Sequence, residues 1–268
     1  MTDTSTHGDL LFVGTATTVI SYGEITLLTD PNFLHQGQHV YLGYGLFSRR
    51  RSEPALQPAQ LPPLDAVVLS HLHGDHWDRV ATRELDPTLP VFTTKAAAKR
   101  LHTRRFRAAD GMDPWEERTL TRGSTTLRIV SLPGAHARGP LAPLFPPVMG
   151  SLLEFSGADL PSLRIYLSGD TLLVDRLEEI RQRCPDIDLG VLHLGGTKIL
   201  GMLLTMDGRE GATWLKRLDP GLGVPIHYDD YTVFKSPLSD FLAEVDRQGV
   251  QVPIKTLGRG DRLPLPPP

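Results

Sequence analysis

The sequence predicts an α/β fold, and three observations carry that prediction. Short runs of β-branched and apolar residues dominate the first third of the chain. Beyond them, strand-like runs alternate with segments whose apolar residues recur three and four positions apart, as in amphipathic helices. No low-complexity tract, linker or repeat of fixed period divides the chain. We therefore expect one domain over residues 1–268, with short disordered tails at both ends.

The predicted elements follow one another in a clear order. Residues 9–29 contain three short strands, separated by the turn signals GT and YGE. Further predicted strands lie at residues 65–70, 90–94, 125–132, 151–155, 163–169, 188–196 and 221–228. The predicted helices lie at residues 94–106, 171–184, 207–218 and 236–249. The closing LPLPPP segment is expected to fray.

Two long segments, residues 30–63 and 137–149, show no clear periodicity. Loops of that length are usually functional or disordered, and the first holds too many aromatic residues for disorder. Some of its side chains suit either ordinary loop packing or a pocket wall or lid; these are His35, His39, Tyr41, Tyr44 and Phe47. The apolar stretch GPLAPLFPPVMG suits either a loop that covers the core or an acyl-binding wall.

Composition narrows the functional classes. The formal net charge is −3, so the chain lacks the basic excess of nucleic-acid binders, and the stretches SRRRSEP and KRLHTRRFR are the only hint of one. Cys184 is the single cysteine, and the start MTDTSTHGDL has no apolar signal region, so we expect a cytoplasmic protein. Prolines interrupt the longest apolar stretch, and no transmembrane segment is expected. The sequence is compatible with a homo-oligomer.

The strongest chemical signal is the stretch SHLHGDHWD, residues 70–78, directly behind an apolar run. An extended segment points alternate side chains the same way, so His71 and His73 can face one ion. Past the glycine, Asp75 and His76 can turn toward a second ion. Imidazole and carboxylate are ligands of zinc and similar cations. The alternative is a helix N-terminus with solvated histidines.

Three more ligand candidates each stand just beyond a predicted strand. They are His136 in LPGAHARG, Asp170 in IYLSGDT and His227 in VPIHYDDY. Taken singly, Asp170 could cap a helix, and the two histidines could lie on the surface. Together they occupy the positions at which open α/β sheets build their sites.

This order of motifs resembles the metallo-β-lactamase fold hydrolases, over residues 10 to about 260. The segments LLTDPNF, GAHARG and PIHYDDY are similar to the branch that contains ascorbate-6-phosphate lactonase and N-acyl-phosphatidylethanolamine-hydrolysing phospholipase D. The resemblance implies a four-layer αββα sandwich, with two mixed sheets flanked by helices.

The resemblance also implies a site with two divalent metal ions. One ion would be bound by His71, His73 and His136, the other by Asp75, His76 and His227, with Asp170 as the bridge. We expect zinc, with manganese or iron as alternatives, because His and Asp sites accept all three. His73 replaces the Glu of di-iron oxygen reductases, and Asp170 replaces the cysteine of true zinc β-lactamases. Antibiotic hydrolysis is therefore not expected.

Such a site would be catalytic, because three ligands per ion and one bridge leave positions open for water. Two ions about 3.5–4 Å apart lower the pKa of a bridging water from about 15.7 toward 7. The resulting hydroxide would attack a carbonyl or phosphoryl group, and Asp75 or Asp170 would take up the proton. The sequence thus predicts a dinuclear hydrolase of a small-molecule lactone, ester or phosphoester.

Residues around the ligands are also predicted. Metal-bound histidines usually donate their second N–H to a carboxylate or carbonyl, and the candidates are Asp30, Asp78, Asp229 and Asp230. Asp30 is favoured because TDP ends a strand, although a turn or cap role is open for each. His193 could be a buried core histidine or a site residue. Arg138 and Lys198 could be solvated or could pair with an anionic substrate group.

Two other functions stay open at this point. One is a phosphodiesterase acting on phospholipid head groups or RNA, which the acidic net charge and the lack of an amphipathic membrane helix disfavour. The other is a non-catalytic metal-binding protein on the same fold, which the complete ligand set disfavours.

Overall fold

The computed structural model describes residues 7–43, 45–199 and 201–267. Its strands, numbered in chain order, are Gly8–Gly14 (β1), Thr17–Tyr22 (β2), Ile25–Thr29 (β3), His39–Tyr41 (β4), Phe47–Arg49 (β5), Ala66–Val68 (β6), Val91–Thr94 (β7), Ala109–Met112 (β8), Glu117–Arg122 (β9), Thr125–Pro133 (β10), Met149–Gly157 (β11), Leu160–Leu167 (β12), Leu189–His193 (β13), Lys198–Ile199 (β14), Met202–Leu203 (β15), Leu222–Ile226 (β16) and Arg262–Leu265 (β17).

The helices alternate with these strands. The α-helices are Arg79–Glu84 (α1), Lys95–Thr103 (α2), Glu178–Arg183 (α3), Gly208–Leu218 (α4) and Leu238–Gln248 (α5). Short 3₁₀ turns lie at Pro58–Gln60, Gly139–Leu144 and Asp175–Leu177. None of the helices within the described ranges has the length and apolar character needed to cross a bilayer.

Two mixed sheets form the centre of the fold. The first has the strand order β17-β1-β2-β3-β6-β7-β8, with parallel pairing from β3 to β8. The second has the order β16-β13-β12-β11-β10-β9, with parallel pairing among β16, β13 and β12. Two short antiparallel pairs, β4 with β5 and β14 with β15, lie outside these sheets.

The sheets pack face to face because alternate residues of both are apolar. Leu10 and Leu27 from the first sheet, and Leu127 and Ile165 from the second, belong to one cluster of fully buried side chains. Each such side chain contributes about 1.5–3 kcal/mol when it is buried.

Helices cover the outer faces of both sheets. Leu101 of α2 packs in the cluster on the first sheet, and Trp214 of α4 and Phe241 of α5 pack in the cluster on the second. The layers therefore run helix, sheet, sheet, helix. This confirms the predicted αββα sandwich.

The closing LPLPPP segment does not fray within the described residues, so that prediction was wrong. Strand β17 pairs antiparallel with β1 at the edge of the first sheet. Leu263 and Leu265 point into the core, whereas Pro264 is exposed. An edge strand tolerates proline because its N–H side needs no ladder partner. The N-terminal tail, residues 1–6, lies outside the described residues.

Two other segments differ from the predicted elements. The helix predicted over residues 171–184 begins only at Glu178, after a 3₁₀ turn. Residues 171–174 form no regular element, and the Thr171 hydroxyl accepts a hydrogen bond from Ala135 N over 2.9 Å, which ties this stretch to the His136 loop. The segment at residues 30–63 contains the hairpin β4–β5. Strands β8 and β9 and helix α1, which are short and carry several polar residues, were not predicted.

Candidate metal centre

The predicted ligands meet where strands end. The motif at residues 70–78 follows β6, and the other candidates follow different strands: Asp30 follows β3, His136 follows β10, Asp170 follows β12, and His227 follows β16. Strands β3 and β6 are parallel neighbours, as are β13 and β16, so their carboxyl ends lie together at one edge of each sheet. Asp30 (φ 37°) and His227 (φ 64°) adopt left-handed backbone conformations. Strain of this kind in non-glycine residues is concentrated at functional sites.

Three histidines form the first donor set. His71 Nε2 lies 3.0 Å from His73 Nδ1, and His136 Nε2 lies 3.1 Å from the same nitrogen. His71 and His136 are buried, and His73 is partly exposed. Three ring nitrogens that converge in this way form a typical ligand set for a cation.

The second donor set combines two carboxylates and two histidines. Its members are Asp75, His76, Asp170 and His227, whose ligand atoms all lie within 4.8 Å of one another. His76 Nε2 is 3.1 Å from Asp170 Oδ2, and His227 Nε2 is 3.4 Å from Asp75 Oδ2. All four side chains are buried.

Asp170 lies beside both donor sets. Together with His73, Asp75 and His136 it lines a small cavity of about 20 Å³. A cavity needs about 10–15 Å³ to hold one water molecule. Asp170, a member of the second donor set, therefore shares this cavity with two histidines of the first set.

Hydrogen bonds on the far side of the rings orient two of the histidines. His136 Nδ1 donates to Leu204 O over 2.8 Å, and His227 Nδ1 donates to Leu194 O over 3.2 Å. A carbonyl oxygen only accepts, so each ring carries its proton on Nδ1. The Nε2 lone pairs therefore point into the cluster, as they do in metal-binding histidines.

Asp30 orients the two other buried histidines. Its carboxylate accepts hydrogen bonds from Ser70 N (2.7 Å), Ser70 Oγ (2.9 Å) and His76 Nδ1 (3.0 Å). Because the Ser70 hydroxyl donates to Asp30, its oxygen accepts from His71 Nδ1 over 3.0 Å. Asp30 thus lies where the sequence predicted it. Its effect on metal binding stays a prediction.

The donor atoms of the second set are better placed to bind cations than to form hydrogen bonds with one another. Asp75 Oδ1, His76 Nε2, Asp170 Oδ1 and His227 Nε2 are buried without a hydrogen-bond partner in the described chain. A buried polar atom left unsatisfied costs about 1–3 kcal/mol, so four in one cluster would be a large penalty. Imidazole nitrogen and carboxylate oxygen are ligands of zinc, manganese and iron, and such ions would satisfy all four atoms.

The electrostatics of the first set favour neutral imidazoles. Burial, together with the neighbouring His136, lowers the pKa of His73 to about 3. Burial and the charge of His76 hold the pKa of His71 well below its usual value. Neutral histidine is the form that binds a metal ion, so this set is ready to bind near neutral pH.

In the second set the opposite charges outweigh the effect of burial. Burial opposes ionisation of Asp170, yet His227 and His76 hold the pKa of its carboxyl well below the usual range. Burial likewise opposes protonation of His76, but Asp170, Asp75 and Asp30 raise its pKa well above the usual value. The carboxylates concentrate negative charge in the second donor set. A metal cation bound there would take the place of the proton on His76.

His193 lies directly behind the second donor set. It ends β13, is buried, and places Nδ1 3.5 Å from Asp170 Oδ1 and 3.9 Å from Asp30 Oδ2. The sequence left open whether His193 is a buried core residue or a site residue. In the structure it is both, because it is buried and lies against the second donor set.

Three predicted neighbours of the site lie elsewhere. Arg138 Nη2 donates to Leu173 O and to Glu210 Oε1, which holds its side chain away from the donor sets. Lys198 is exposed on β14 and lines neither described cavity. Asp229 is about half exposed and pairs with Arg259 over 3.0 Å. For each of these three residues the structure agrees with the alternative to a site role, because each side chain is solvated or already paired.

A buried ion pair that the sequence did not predict joins the loop at residues 30–63 to the segment after His227. Arg50 is fully buried; it donates to the side chain of Asn32 and lies 3.7 Å from Asp230 Oδ1. Asp230 also accepts from Thr15 N over 2.7 Å. Only the tertiary contacts show that one arginine of the stretch SRRRSEP is buried.

Some residues of the long loop line a large cleft beside the donor sets. His39, Tyr41 and Phe47 belong to its lining, and His73 connects it to the small cavity. His35 instead pairs with Glu53 over 2.8 Å. Tyr44 lies outside the described residues.

Comparison with known proteins assigns the family. A model of the beta-lactamase superfamily domain matches residues 26–228. The chain belongs to the beta-lactamase superfamily. The resemblance seen in the motifs is thereby confirmed at the level of the superfamily, whereas the branch with ascorbate-6-phosphate lactonase stays a prediction.

Curated relatives agree with this assignment. The protein YddR of the UPF0173 group from Bacillus subtilis is 29% identical over 67% of this chain and 74% of its own length. A UPF0173 metal-dependent hydrolase of Deinococcus radiodurans is 28% identical over 74% of this chain and 80% of its own length. The prediction of a metal-dependent hydrolase is confirmed at this level.

Solved structures support the fold. A possible metal-dependent hydrolase of Veillonella parvula matches with a TM-score of 0.78 and 22% identity, over 97% of this chain and all of its own. An isothiocyanate hydrolase from Delia radicum gut bacteria matches with a TM-score of 0.79 and 22% identity, over 95% and 98%.

Proposed function

We propose that this protein is a dinuclear metal hydrolase that acts on a small lactone, ester or phosphoester. The observation that carries the proposal is the pair of adjacent donor sets, the second of which has four buried ligand atoms without a hydrogen-bond partner in the described chain. The hydrogen bonds that aim the Nε2 atoms of His136 and His227 at the cluster support it further. We propose zinc as the native metal, with manganese or iron as the alternatives.

Each of the two donor sets would hold one of the two ions. His71, His73 and His136 would hold one ion, and Asp75, His76 and His227 the other, with Asp170 between them. When bound, divalent ions polarise a carbonyl or phosphoryl oxygen and lower the pKa of water toward 7.

The chain's own residues would position the substrate and move the proton. Asp75 lines the small cavity, and its Oδ1 atom has no hydrogen-bond partner in the described chain. It is the residue that we propose takes up the proton during turnover. Asp30 and Ser70 would keep the Nε2 atoms of His71 and His76 in place throughout the reaction.

The test combines metal analysis with a panel of substrates. Metal content of the purified protein is measured by mass spectrometry, and hydrolysis is assayed on a lactone, a carboxylic ester, a phosphodiester and an N-acyl phospholipid. An isothiocyanate is added because a structural neighbour hydrolyses one. We expect about two metal ions per chain and turnover of one class that stops in chelator and returns with metal. Metal binding without turnover of any class would favour a non-catalytic metal-binding protein.

A substitution separates the site from the rest of the fold. Asp170→Ala should lose metal and nearly all hydrolysis, because Asp170 lies beside both donor sets. Asp240→Ala is the matched control, since Asp240 is exposed in the first turn of α5. Full metal content together with normal rates in Asp170→Ala would refute the proposal.

A further inference from the structure

A large cleft opens beside the donor sets. Its volume is about 1110 Å³, and its lining comes from the hairpin β4–β5, from α1 and α2, and from residues 144–147. His73 and Phe145 line both this cleft and the small cavity over the donor sets. A molecule bound in the cleft would therefore reach the reacting centre at His73.

The cleft carries a local excess of positive charge, and we name it the arginine cleft. It is lined by Arg79, Arg83, Arg100, Arg104 and Arg105. Arg83 pairs with Glu84, whereas no carboxylate of the described residues lies within 4.0 Å of the other four. The whole chain has a net charge of −3, so this excess does not follow from composition.

The one carboxylate that lines the cleft among the described residues is already engaged. Asp78 is buried and accepts hydrogen bonds from the backbone N–H groups of Leu34 (2.7 Å) and Ala81 (2.8 Å), the second of which caps α1. Its oxygens are already occupied by backbone N–H groups, and Arg79, Arg100, Arg104 and Arg105 line the cleft with no carboxylate of the described residues within 4.0 Å.

Two of these arginines carry a local cost. Partial burial, with the neighbouring charge of Arg100, lowers the pKa of Arg104, whose side chain still reaches solvent. Arg105 adopts a left-handed backbone (φ 76°) directly after the end of α2, a position where glycine is preferred. An L-residue in this conformation costs about 1–2 kcal/mol. Energetically costly features that lie close together in a folded protein are typical of a ligand-binding site.

The mouth of the same cleft is apolar. Tyr41 and Phe47 are 53% and 64% exposed, and their rings lie 5.0 Å apart on the hairpin β4–β5. Leu144, which is 64% exposed, also lines the cleft. Large apolar side chains that lie together on a protein surface usually mark a binding site.

We propose that the arginine cleft binds the oxyanion of an amphiphilic small-molecule substrate. Guanidinium groups bind phosphate and carboxylate through paired hydrogen bonds, so Arg100 and Arg104 are the residues that would bind the oxyanion. Tyr41, Phe47 and Leu144 would contact the apolar part, and the bond to be broken would lie at His73. This inference rests on the proposed function, because it names the substrate class of the same site.

The test measures binding without turnover. Octylphosphonate has a phosphorus–carbon bond that is not an ester, and its dissociation constant is measured by calorimetry on metal-free and on zinc-loaded protein. We expect binding to both forms. Replacing both arginines, in Arg100→Gln/Arg104→Gln, should weaken binding about tenfold for each arginine lost. Lys99→Gln is the matched control, because Lys99 is exposed on the same helix and does not line the cleft.

Further measurements test the oxyanion contact and the apolar contact of the proposal separately. Methylphosphonate should bind more weakly than octylphosphonate, and Phe47→Ser should weaken only the octyl compound. Octyl carboxylate in place of the phosphonate tells which oxyanion is preferred. Circular dichroism and zinc content verify that each variant is folded.

Three results would overturn the inference. Unchanged affinity in the double variant would do so, as would binding that disappears on removal of the metal. Binding to anionic phospholipid vesicles without binding to monomeric octylphosphonate would make the cleft a membrane contact instead. Since the metal-free protein is sufficient for this measurement, failure of the hydrolysis assays would not be confused with failure of the cleft to bind.

Discussion

Asp30 provides the most direct test of how the structure supports the metal centre. Its carboxylate accepts three hydrogen bonds, two from Ser70 and one from His76 Nδ1, and its side chain is buried. In Asp30→Asn one of the two oxygens becomes an NH₂ group, which faces a donor in either orientation of the amide. One charged hydrogen bond is lost, worth about 1.5–3 kcal/mol. We therefore expect metal affinity to fall about 10–100-fold.

The assay is a competition between the protein and a chromophoric chelator of known affinity, with circular dichroism to verify the fold. Asp229→Asn is the matched control, because Asp229 is half exposed and pairs with Arg259 outside the site. Its metal affinity should equal that of the parent. If Asp30→Asn stays folded and binds metal within about twofold of the parent, Asp30 does not support the ligands and the reasoning fails.

Three further predictions test the fold around the site. Leu265→Ala should destabilise the protein by about 2–5 kcal/mol in guanidinium unfolding, because Leu265 is fully buried on β17; a change below about 0.5 kcal/mol would contradict a packed C-terminal strand. Gly169→Ala should lower both metal content and thermal stability, since φ is 60° and the new Cβ would meet Met149 O at 2.9 Å; unchanged values would argue against strain beside the donor sets. Burial opposes the ionisation of Asp230, but Arg50 and Arg259 lower its pKa, so the stability it contributes is complete above its unfolded pKa of about 3.9 and is lost as pH falls below that value. Asp230→Asn should therefore cost about 3–5 kcal/mol at pH 7 in urea unfolding and less at pH 3, and a pH-independent difference would refute the ion-pair argument.

The sequence was sufficient for the parts of the protein that depend on local pattern. Apolar runs predicted the strands that carry the ligands, because a buried strand needs apolar side chains whichever neighbour it pairs with. The spacing in SHLHGDHWD predicted two groups of ligands, since alternate positions of an extended segment face the same side and the residues past the glycine can turn toward a second ion. Asp30 was favoured because TDP ends a strand, and the structure places its carboxylate 3.0 Å from His76 Nδ1.

Several features were not readable in the sequence. Asp229 and Asp230 are adjacent and chemically equal, yet one is half exposed and the other is buried against Arg50. The closing LPLPPP segment has the composition of a frayed end, but its two leucines complete the core between the sheets. Neither outcome depends on local propensity; both depend on which distant surface the segment meets.

What the sequence determined by itself is the identity and spacing of the candidate metal ligands, and with them the fold family. What only the tertiary structure decided is the surroundings of those residues: the hydrogen-bond partners of the histidine rings, the burial of Arg50, and the grouping of arginines from α1, from α2 and from the residues after α2 on one cleft. Candidate metal ligands can be recognised in the sequence because they are particular residue types at short spacing. Hydrogen-bond partners and cleft walls come from segments far apart in the chain, and their approach is decided by packing.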